Sequence, residues 1–291
     1  MTVPELFVAD KWKEYELIDC GDRSRLERWG DVVLIRPDPL AVWPAGNHSA
    51  WGNADAVYQR SSSGGGKWEF NRKIPESWVI RYGDLSFKVH PTGFKHTGLF
   101  PEQAYNWDLI RKMLMERAGV KTLNLFGYTG AASVAAAKTN ATVCHVDSSK
   151  GALGWAKENA ALSMISDGKI RLIPDDCLTF AKREVRRGKR YDAIILDPPS
   201  FGRGTKGEVW KLEDGLWQLL LICGRLLSDT PLFLLINSYT TGISPLAAAN
   251  MVRSLDLPDS VLSYGELALP FKRETREMHL PCGLTLCLKF K

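Results

Sequence analysis

The feature of this sequence that most constrains its fold is an alternation of short apolar runs with amphipathic helical patterns from Thr122 onward. Five apolar runs are each followed by a helical pattern, namely TLNLF, TVCHVD, KIRLIP, YDAIIL and LFLLIN. Runs that are largely apolar throughout are typical of strands covered by helices on both faces. This alternation predicts a parallel, doubly wound α/β sheet. Two later runs, VLSYGELAL and LTLCLKF, bring the predicted sheet to seven strands.

The part of the chain before Thr122 has a different pattern, in which short strands alternate with Gly and Asp turns. A chain of 291 residues is long enough to form two hydrophobic cores. We therefore predict a small β-rich domain over residues 1–95 and a larger α/β domain over residues 96–291. The segment SSSGGG (Ser61 to Gly66) predicts a mobile loop, because serine and glycine offer little side chain to bury.

Composition excludes several classes of protein. No stretch approaches the roughly 18 apolar residues of a membrane span, and the N-terminus lacks the basic-then-apolar pattern of a secretion signal. These observations predict a cytoplasmic protein without a membrane partner. The six cysteines contain no C-x-x-C pair and the five histidines show no ligand spacing, so we predict no metal site. The net charge of +5 suits a polyanionic partner without requiring one, and a homodimer is left open.

A turn that could hold a cofactor follows the first apolar run, with the sequence FGYTGAAS (Phe126 to Ser133). Gly127 and Gly130 would let a ligand approach the backbone, although a tight turn explains the same residues. Asp147 ends the second run, 147 − 127 = 20 residues further on, where a carboxylate can bond both ribose hydroxyls of an adenosine. The turn has two glycines and no basic residue for a pyrophosphate, which favours S-adenosylmethionine over a dinucleotide.

Two further carboxylates follow later strands. Asp176 comes after the third run, where it would meet an adenine amino group or cap the next helix. Asp197 opens the segment DPPSFGRG after the fourth run, at the edge where ligands bind in such sheets. Prolines there stiffen the backbone, although prolines also simply end strands. Phe201 is a candidate to stack on an acceptor base, with a core position as the alternative.

Four segments together resemble the class I S-adenosylmethionine-dependent methyltransferases: NLFGYTGAAS, VDSSKGALGWAKEN, DPPSFGRG and, upstream, FKHTGLFPEQAYNW. More narrowly, they look like the branch of bacterial large-subunit ribosomal RNA base methyltransferases. The resemblance covers the chain from about Phe94 to Ser238. It implies a seven-stranded Rossmann-like sheet, S-adenosylmethionine as cofactor and a base in structured, ribosomal RNA as methyl acceptor.

The resemblance also implies roles for individual residues. The turn after the first strand would hold the methionine part of the cofactor. Asp147 would bind the ribose, and Asp176 with Cys177 would contact the adenine. Asp197 and the Pro198 carbonyl would face the methyl acceptor, together with Phe201. The implied cofactor-binding residues are Gln103, Asn124, Phe126, Gly127, Tyr128, Thr129, Gly130, Asp147, Ser148, Asp176, Cys177 and Asp197.

The sequence departs from the family's pattern at two points. The first concerns the charge near the cofactor, and the second concerns how the substrate is bound. Asn124 stands where the first strand of the family usually carries Asp, so a negative charge near the cofactor's ammonium group is missing. The additional RNA-binding domain of the family is not recognisable at the N-terminus. Asn124 favours an alternative in which the chain is a nucleotide-binding module without turnover, whereas the Asp197, Pro198, Pro199 run opposes it. Methyl transfer to a protein or a small molecule is a further alternative.

Substrate contacts are expected in the segment PFKRETREMHLP, where Lys272, Arg273 and Arg276 are candidates to hold RNA phosphates. An ordinary charged hairpin explains the same residues. After the fifth run, where cytosine-methylating members of the branch carry a cysteine nucleophile, this chain reads LLINSYTTGIS. The absence of a thiol there predicts methylation of a nitrogen, with a ribose oxygen as second choice.

Overall fold

The computed structural model describes residues 3–46, 49–61, 65–93, 95–203, 207, 209–239 and 242–291. Residues 62–64 of the expected mobile loop, Phe94 and Gly204 lie outside the described residues. The chain divides into two compact units. The sheet unit comprises Met1–Phe7, Asn106–Leu267 and Gly283–Lys291, and the β-rich unit comprises Val8–Tyr105 and Ala268–Cys282.

Strands dominate the first part of the chain, as the Gly and Asp turns predicted. The first strand, β1 (Glu5–Val8), belongs to the main sheet. The next five strands form a separate sheet in numerical order: β2 (Tyr15–Gly21), β3 (Ser24–Trp29), β4 (Val32–Pro37), β5 (Ala56–Arg60) and β6 (Gly66–Phe70). A hairpin follows, formed by β7 (Trp78–Tyr82) and β8 (Leu85–Val89). Two short 3₁₀ turns span Ser49–Asn53 and Pro101–Gln103.

Helices and strands then alternate along the chain. The helices are α1 (Ala104–Leu114), α2 (Ala131–Ala137), α3 (Lys150–Leu162), α4 (Cys177–Arg186), α5 (Leu212–Leu226) and α6 (Pro245–Arg253). The strands are β9 (Lys121–Leu125), β10 (Thr142–Asp147), β11 (Ile170–Pro174), β12 (Ala193–Leu196), β13 (Phe201–Arg203), β14 (Val209–Lys211), β15 (Phe233–Ser238), β16 (Ser260–Arg273) and β17 (Arg276–Phe290). Within the described ranges, no helix has the length and apolar character needed to cross a membrane.

The main sheet confirms the α/β prediction and adds one strand to it. Its order is β1-β16-β17-β15-β12-β9-β10-β11, so all seven predicted strands are present and β1 is the eighth. The pairs from β15 to β11 are parallel, and β17 runs antiparallel to β15. The strand β1 escaped prediction because four residues with one buried side chain carry too little apolar pattern.

Both faces of the sheet are buried, which explains the continuously apolar strands. Along β12, Ile194 and Leu196 belong to one hydrophobic cluster, whereas Ala193 and Ile195 belong to another. The first cluster includes side chains of α4, α5 and α6, and the second includes side chains of α1 and α2. Successive side chains of a strand point to opposite faces, so a strand between two helical layers is apolar at every position.

The division into units differs from the predicted boundary between residues 95 and 96. The β-rich unit continues to Tyr105 and also includes Ala268–Cys282, the end of β16 and the start of β17. These two strands have 14 and 15 residues, whereas β12 has four. At about 3.3 Å per residue, they are far longer than the parallel strands of the main sheet. A segment near residue 270 belongs to the unit that begins near residue 8. A division of the sequence into two consecutive ranges cannot predict such an arrangement.

A buried cluster of charges lies in the β-rich unit. Glu27 of β3 is fully buried and receives two hydrogen bonds from the Arg36 guanidinium, of 2.6 and 2.8 Å, and one of 2.8 Å from the Tyr15 hydroxyl. Burial alone would raise the pKa of the Glu27 carboxyl, but Arg36, Arg25 and the hydrogen bonds outweigh it, and the pKa is lowered. The carboxylate is therefore ionised and fully paired.

We predict that Glu27→Ala lowers the free energy of unfolding by about 3–5 kcal/mol, because the change leaves a buried Arg36 charge without its partner. Glu16→Ala is the matched control, since Glu16 lies on the neighbouring strand β2 and pairs with Arg28 at 3.1 Å in an exposed salt bridge. The control should lose less than about 1 kcal/mol. Urea unfolding of both variants measures the difference, and equal losses would contradict the assignment of Glu27 as the centre of the cluster.

Candidate cofactor and acceptor site

The register of three parallel strands brings the predicted site residues to one edge of the sheet. Leu125 at the end of β9 pairs with Val146 of β10 on one side and with Leu196 of β12 on the other. The strands therefore end side by side, and the chain leaves the sheet at Phe126, Asp147 and Asp197 within the same row. This is the edge where ligands bind in open α/β sheets.

The turn after β9 has an unusual backbone. Phe126, Tyr128 and Gly130 have φ angles of 59°, 50° and 86°, in the left-handed region. For the two residues with side chains this conformation costs on the order of 1–3 kcal/mol each, so surrounding groups must hold it. The residues between β9 and α2 thus form a fixed turn, called here the cofactor loop (Phe126 to Gly130).

Two side chains from neighbouring elements hold the backbone of the cofactor loop. The Phe126 amide donates to the Cys177 Sγ at 3.1 Å, and the Tyr128 amide donates to the Asp147 Oδ2 at 2.8 Å. Burial raises the pKa of the Cys177 thiol well above its ordinary value, so the thiol keeps its proton and donates to the Val146 carbonyl at 3.6 Å. Cys177 and Asp147 therefore stabilise the strained positions directly.

Packing within the protein explains both glycines of the loop. A Cβ on Gly127 would overlap the His145 ring, and a Cβ on Gly130 would lie 2.8 Å from the Ala156 Cβ of α3. Gly130 also needs its positive φ. The tight-turn alternative therefore accounts for these residues without close approach of a ligand.

Beneath the cofactor loop, three buried polar side chains form a chain of hydrogen bonds. The Asn124 amide Nδ2 donates to the Ser133 Oγ at 2.8 Å, and Ser133 Oγ lies 2.9 Å from the His145 Nδ1. The Ser133 hydroxyl can donate to Nδ1 or accept from it, so the direction of this contact depends on the tautomer of the imidazole. Burial lowers the pKa of His145 to about 4, so the ring is neutral near pH 7.

Asn124 is thus part of an internal hydrogen-bond network. Its side chain is 1% exposed. An ionised carboxylate in its place would be buried against the Ser133 hydroxyl, which carries no positive charge to compensate it. The amide at this position has a structural explanation. It gives no support to the alternative of a binding module that lost turnover.

The Asp147 carboxylate has two partners inside the protein. Its Oδ2 accepts from the Tyr128 amide and its Oδ1 from the Ser149 amide, each at 2.8 Å. The carboxylate therefore also supports the protein's own backbone. A carboxylate offers about four acceptor positions, so two are left for the hydroxyls of a ribose. Burial raises the pKa of Asp147, and the two amide hydrogen bonds oppose that effect in part.

Asp176 caps α4, because its Oδ1 accepts from the Thr179 amide at 2.8 Å. The capping alternative is confirmed, and the half-buried side chain keeps its second oxygen for another partner. Thr129 is buried and its carbonyl accepts from the Asn159 side chain of α3 at 2.9 Å, whereas Ser148 is half-buried after β10.

The segment Asp197 to Ser200, called here the acceptor loop, is fastened to the sheet unit at three points. The Asp197 amide donates to the Leu125 carbonyl at 3.3 Å, and the Leu212 amide donates to the Ser200 carbonyl at 3.0 Å. The Pro199 carbonyl accepts from the Trp210 indole at 2.7 Å. In the described part of the chain, the Pro198 carbonyl accepts no hydrogen bond.

Phe201 follows the acceptor loop and is 54% exposed. The alternative that Phe201 is a core residue is therefore wrong. Trp210 is a residue that sequence reasoning missed, because a single tryptophan between Val209 and Lys211 carries no periodic signal.

A family described as S-adenosylmethionine-dependent methyltransferase matches residues 45–242 of the chain. The chain belongs to this family. S-adenosylmethionine is its cofactor, and the residues fit this molecule, because the cofactor loop carries no basic side chain of the kind that a pyrophosphate would need, and Asp147 keeps two acceptor positions.

Similar proteins agree with this assignment. The solved structure of an S-adenosylmethionine-dependent methyltransferase from Agrobacterium tumefaciens is 36% identical, with a TM-score of 0.94 over 100% of this chain and 95% of that chain. Among curated proteins, the ribosomal RNA large subunit methyltransferase K/L of Shewanella frigidimarina is 40% identical over 217 residues. That match covers 71% of this chain and 28% of the relative, so the chain spans less than a third of that protein's length.

A more distant structure shares the fold alone. The tRNA (uracil-54, C5)-methyltransferase of Pyrococcus abyssi, solved with S-adenosyl-L-homocysteine, is 19% identical with a TM-score of 0.52. It covers 92% of this chain and 60% of that chain.

Four predicted site residues belong to the β-rich unit. Gln103 is buried in the 3₁₀ turn before α1. Lys272 and Arg276 are exposed at the turn between β16 and β17. Arg273, by contrast, is used within the protein.

The Arg273 guanidinium donates to Asp19 at 2.7 Å and to the carbonyls of Cys20 and Pro44 at 2.8 and 2.9 Å. Burial alone would raise the pKa of Asp19, but the hydrogen bonds from Arg273, Trp51 and Gly46 outweigh it and lower the pKa. Arg273 therefore braces the β-rich unit, which corrects its assignment as a phosphate ligand. Among the residues that the structure describes, no group of three or more His, Cys, Asp or Glu side chains is arranged to hold a metal ion.

We predict that Asp147→Asn weakens S-adenosylmethionine binding more than about tenfold, since hydrogen bonds to a charged group contribute about 1.5–3 kcal/mol each. Ribose hydroxyls favour the ionised carboxylate. Binding by the natural protein should therefore be complete above the raised pKa of Asp147 and weaken as the pH falls through it, at a higher pH than for an ordinary aspartate.

Calorimetric titration between neutral and acidic pH measures this dependence, with Asp167→Asn at an exposed loop position as the matched control. The Asp147 variant should bind S-adenosylmethionine weakly, with an affinity that does not change with pH. Natural affinity and an unchanged pH profile in that variant would show that Asp147 does not contact the cofactor.

Proposed function

We propose that the protein transfers the methyl group of S-adenosylmethionine to a nitrogen of a base in structured, ribosomal RNA. The names of two curated relatives support the RNA substrate: the ribosomal RNA large subunit methyltransferases K/L of Shewanella frigidimarina and Shewanella oneidensis, at 40% and 39% identity. The observation that carries the proposal is the acceptor loop, whose backbone is fastened at three points beside an exposed aromatic ring.

Methyl transfer from a sulfonium is an in-line displacement, so the protein mainly aligns the acceptor and the donor. The bound cofactor supplies the electrophilic methyl group. Asp197 and the Pro198 carbonyl would accept hydrogen bonds from the acceptor's N–H, and Asp197 would take up a proton where the nitrogen loses one. Phe201 would stack on a base that has left its helix, as enzymes acting on bases in nucleic acid require.

Phosphate contacts are proposed for Lys272 and Arg276, which are exposed, and no longer for Arg273. The methionine part of the cofactor would lie in the cofactor loop, and Asp176, Cys177 and Ser148 would contact the adenosine part. We place the reaction in the cytoplasm, as a step of ribosomal RNA processing. The proposal holds for a monomer and for a homodimer alike.

The state of the cysteines supports a nitrogen acceptor. All six are buried, and burial raises the pKa of Cys20, Cys223 and Cys287 to about 12. A thiol with such a pKa is protonated near pH 7 and is a poor nucleophile. Methylation of cytosine carbon-5 needs a thiolate that adds to the ring, so this chemistry is not supported.

We predict that Asp197→Ala lowers kcat for RNA methylation about 100-fold or more, with the cofactor affinity changed less than about twofold, because its partner is the acceptor. Methyl transfer from labelled S-adenosylmethionine to unmodified ribosomal RNA measures kcat, and Asp167→Ala serves as the control. Label that enters protein but not RNA would overturn the RNA proposal. Natural turnover in the Asp197 variant would instead remove Asp197 from the mechanism.

We also predict that RNA carrying 5-fluorocytosine forms no covalent adduct with the protein, because no activated thiol attacks the ring. Denaturing electrophoresis after incubation with S-adenosylmethionine detects such adducts. A denaturation-resistant protein–RNA band that disappears in one of the cysteine variants would contradict the nitrogen assignment.

A further inference from the structure

A small two-stranded ribbon follows the acceptor loop and has two different faces. β13 and β14 pair antiparallel, with Phe201 opposite Lys211 and Gly202 opposite Trp210. Directly paired residues point to the same face of a ribbon. Phe201, Val209 and Lys211 therefore share an outer face, where the two apolar side chains are 54% and 57% exposed and the lysine is also exposed.

Trp210 lies on the opposite, inner face and is 7% exposed. The surroundings are shaped for this side chain. A Cβ on Gly215 of α5 would lie 2.6 Å from the Trp210 ring, so glycine leaves the space that the indole fills. Gly202 is its partner across the ribbon, where a larger side chain would approach Pro199.

The indole contacts both loops of the site. Its Nε1 donates to the Pro199 carbonyl of the acceptor loop at 2.7 Å. The centroid of its ring lies 5.1 Å from the centroid of the Phe126 ring of the cofactor loop, at an interplanar angle of 49°. Such tilted aromatic pairs are favourable beyond the burial of their apolar area. One side chain therefore joins the loop assigned to the methyl donor to the loop assigned to the methyl acceptor.

We propose that Trp210 is a positioning residue for methyl transfer: it fixes the acceptor loop against the cofactor loop and presents Phe201 to the acceptor base. This inference rests on the proposed function for the identity of the acceptor. The hydrogen bond to Pro199 sets the direction of the loop that carries Asp197 and Pro198. Reacting atoms must be aligned closely, so a small displacement of this loop lowers the rate of transfer.

Burial of a tryptophan also stabilises the fold, and the variant Trp210→Phe separates the two roles. Phenylalanine keeps an aromatic ring beside Phe126 and lacks the N–H that Pro199 accepts. We expect kcat for RNA methylation to fall about tenfold, with the cofactor affinity and the cofactor KM changed less than twofold. Trp210→Ala should lower kcat and weaken cofactor binding as well, because it also removes the contact with Phe126.

The matched control is Trp217→Phe, since Trp217 lies on α5 and is 39% exposed. It should leave kcat, KM and cofactor affinity unchanged. If Trp210→Phe turns over at the natural rate with natural KM values, the positioning role is overturned. Parallel losses of kcat and thermal stability in both phenylalanine variants would likewise reduce Trp210 to a packing residue.

Hydrogen exchange of the full chain tests the contact without any activity. Loss of a net hydrogen bond of about 1 kcal/mol should speed exchange of the Leu212 amide, which bonds Ser200, about fivefold in Trp210→Phe and not in Trp217→Phe. If the natural protein methylates no RNA, the proposed function fails and this exchange measurement alone decides the role of Trp210. Equal exchange in both variants would refute the fastening of the acceptor loop by the indole.

Discussion

Parallel pairing of β9 with β10 on one side and β12 on the other is the constraint on which the site depends. Because the three strands are in register, their ends coincide and the chain departs at Phe126, Asp147 and Asp197 in one row. The groups proposed to bind the methyl donor and the methyl acceptor then need only short loops to meet. These loops begin at the ends of strands in a sheet that is buried on both faces, so their starting points are held in place.

The cofactor loop shows how a strained backbone is maintained. Left-handed Phe126 and Tyr128 are each held by a hydrogen bond from the backbone amide to a neighbouring side chain, and Gly127 is fixed by the ring beneath it. The same Asp147 that is assigned to the ribose also supports the loop. Under the proposed role of Asp147, binding and local stability depend on one carboxylate, and a variant there would affect both.

Much of the fold can be predicted from the sequence because it consists of a repeated pattern of strand and helix. Five apolar runs followed by helices specify a parallel sheet, and Asp176 and Asp197 were found because they follow such runs. Other features depend on contacts that are distant in sequence. Trp210 is eleven residues from the carbonyl it bonds, and Arg273 is 254 residues from Asp19. Nothing in the local sequence distinguishes Arg273 from Lys272 and Arg276, although within the part of the chain that the structure describes Arg273 is the one of the three with hydrogen bonds to the protein.

The buried His145 has an electrostatic consequence for the sheet unit. Its pKa of about 4 keeps the imidazole uncharged throughout the physiological range. A histidine of ordinary pKa in this position would be partly cationic in mildly acidic conditions, and moving that charge out of water would cost free energy. Because the ring stays neutral, the packing beneath Gly127 keeps the same charge as the pH falls from neutral to mildly acidic values.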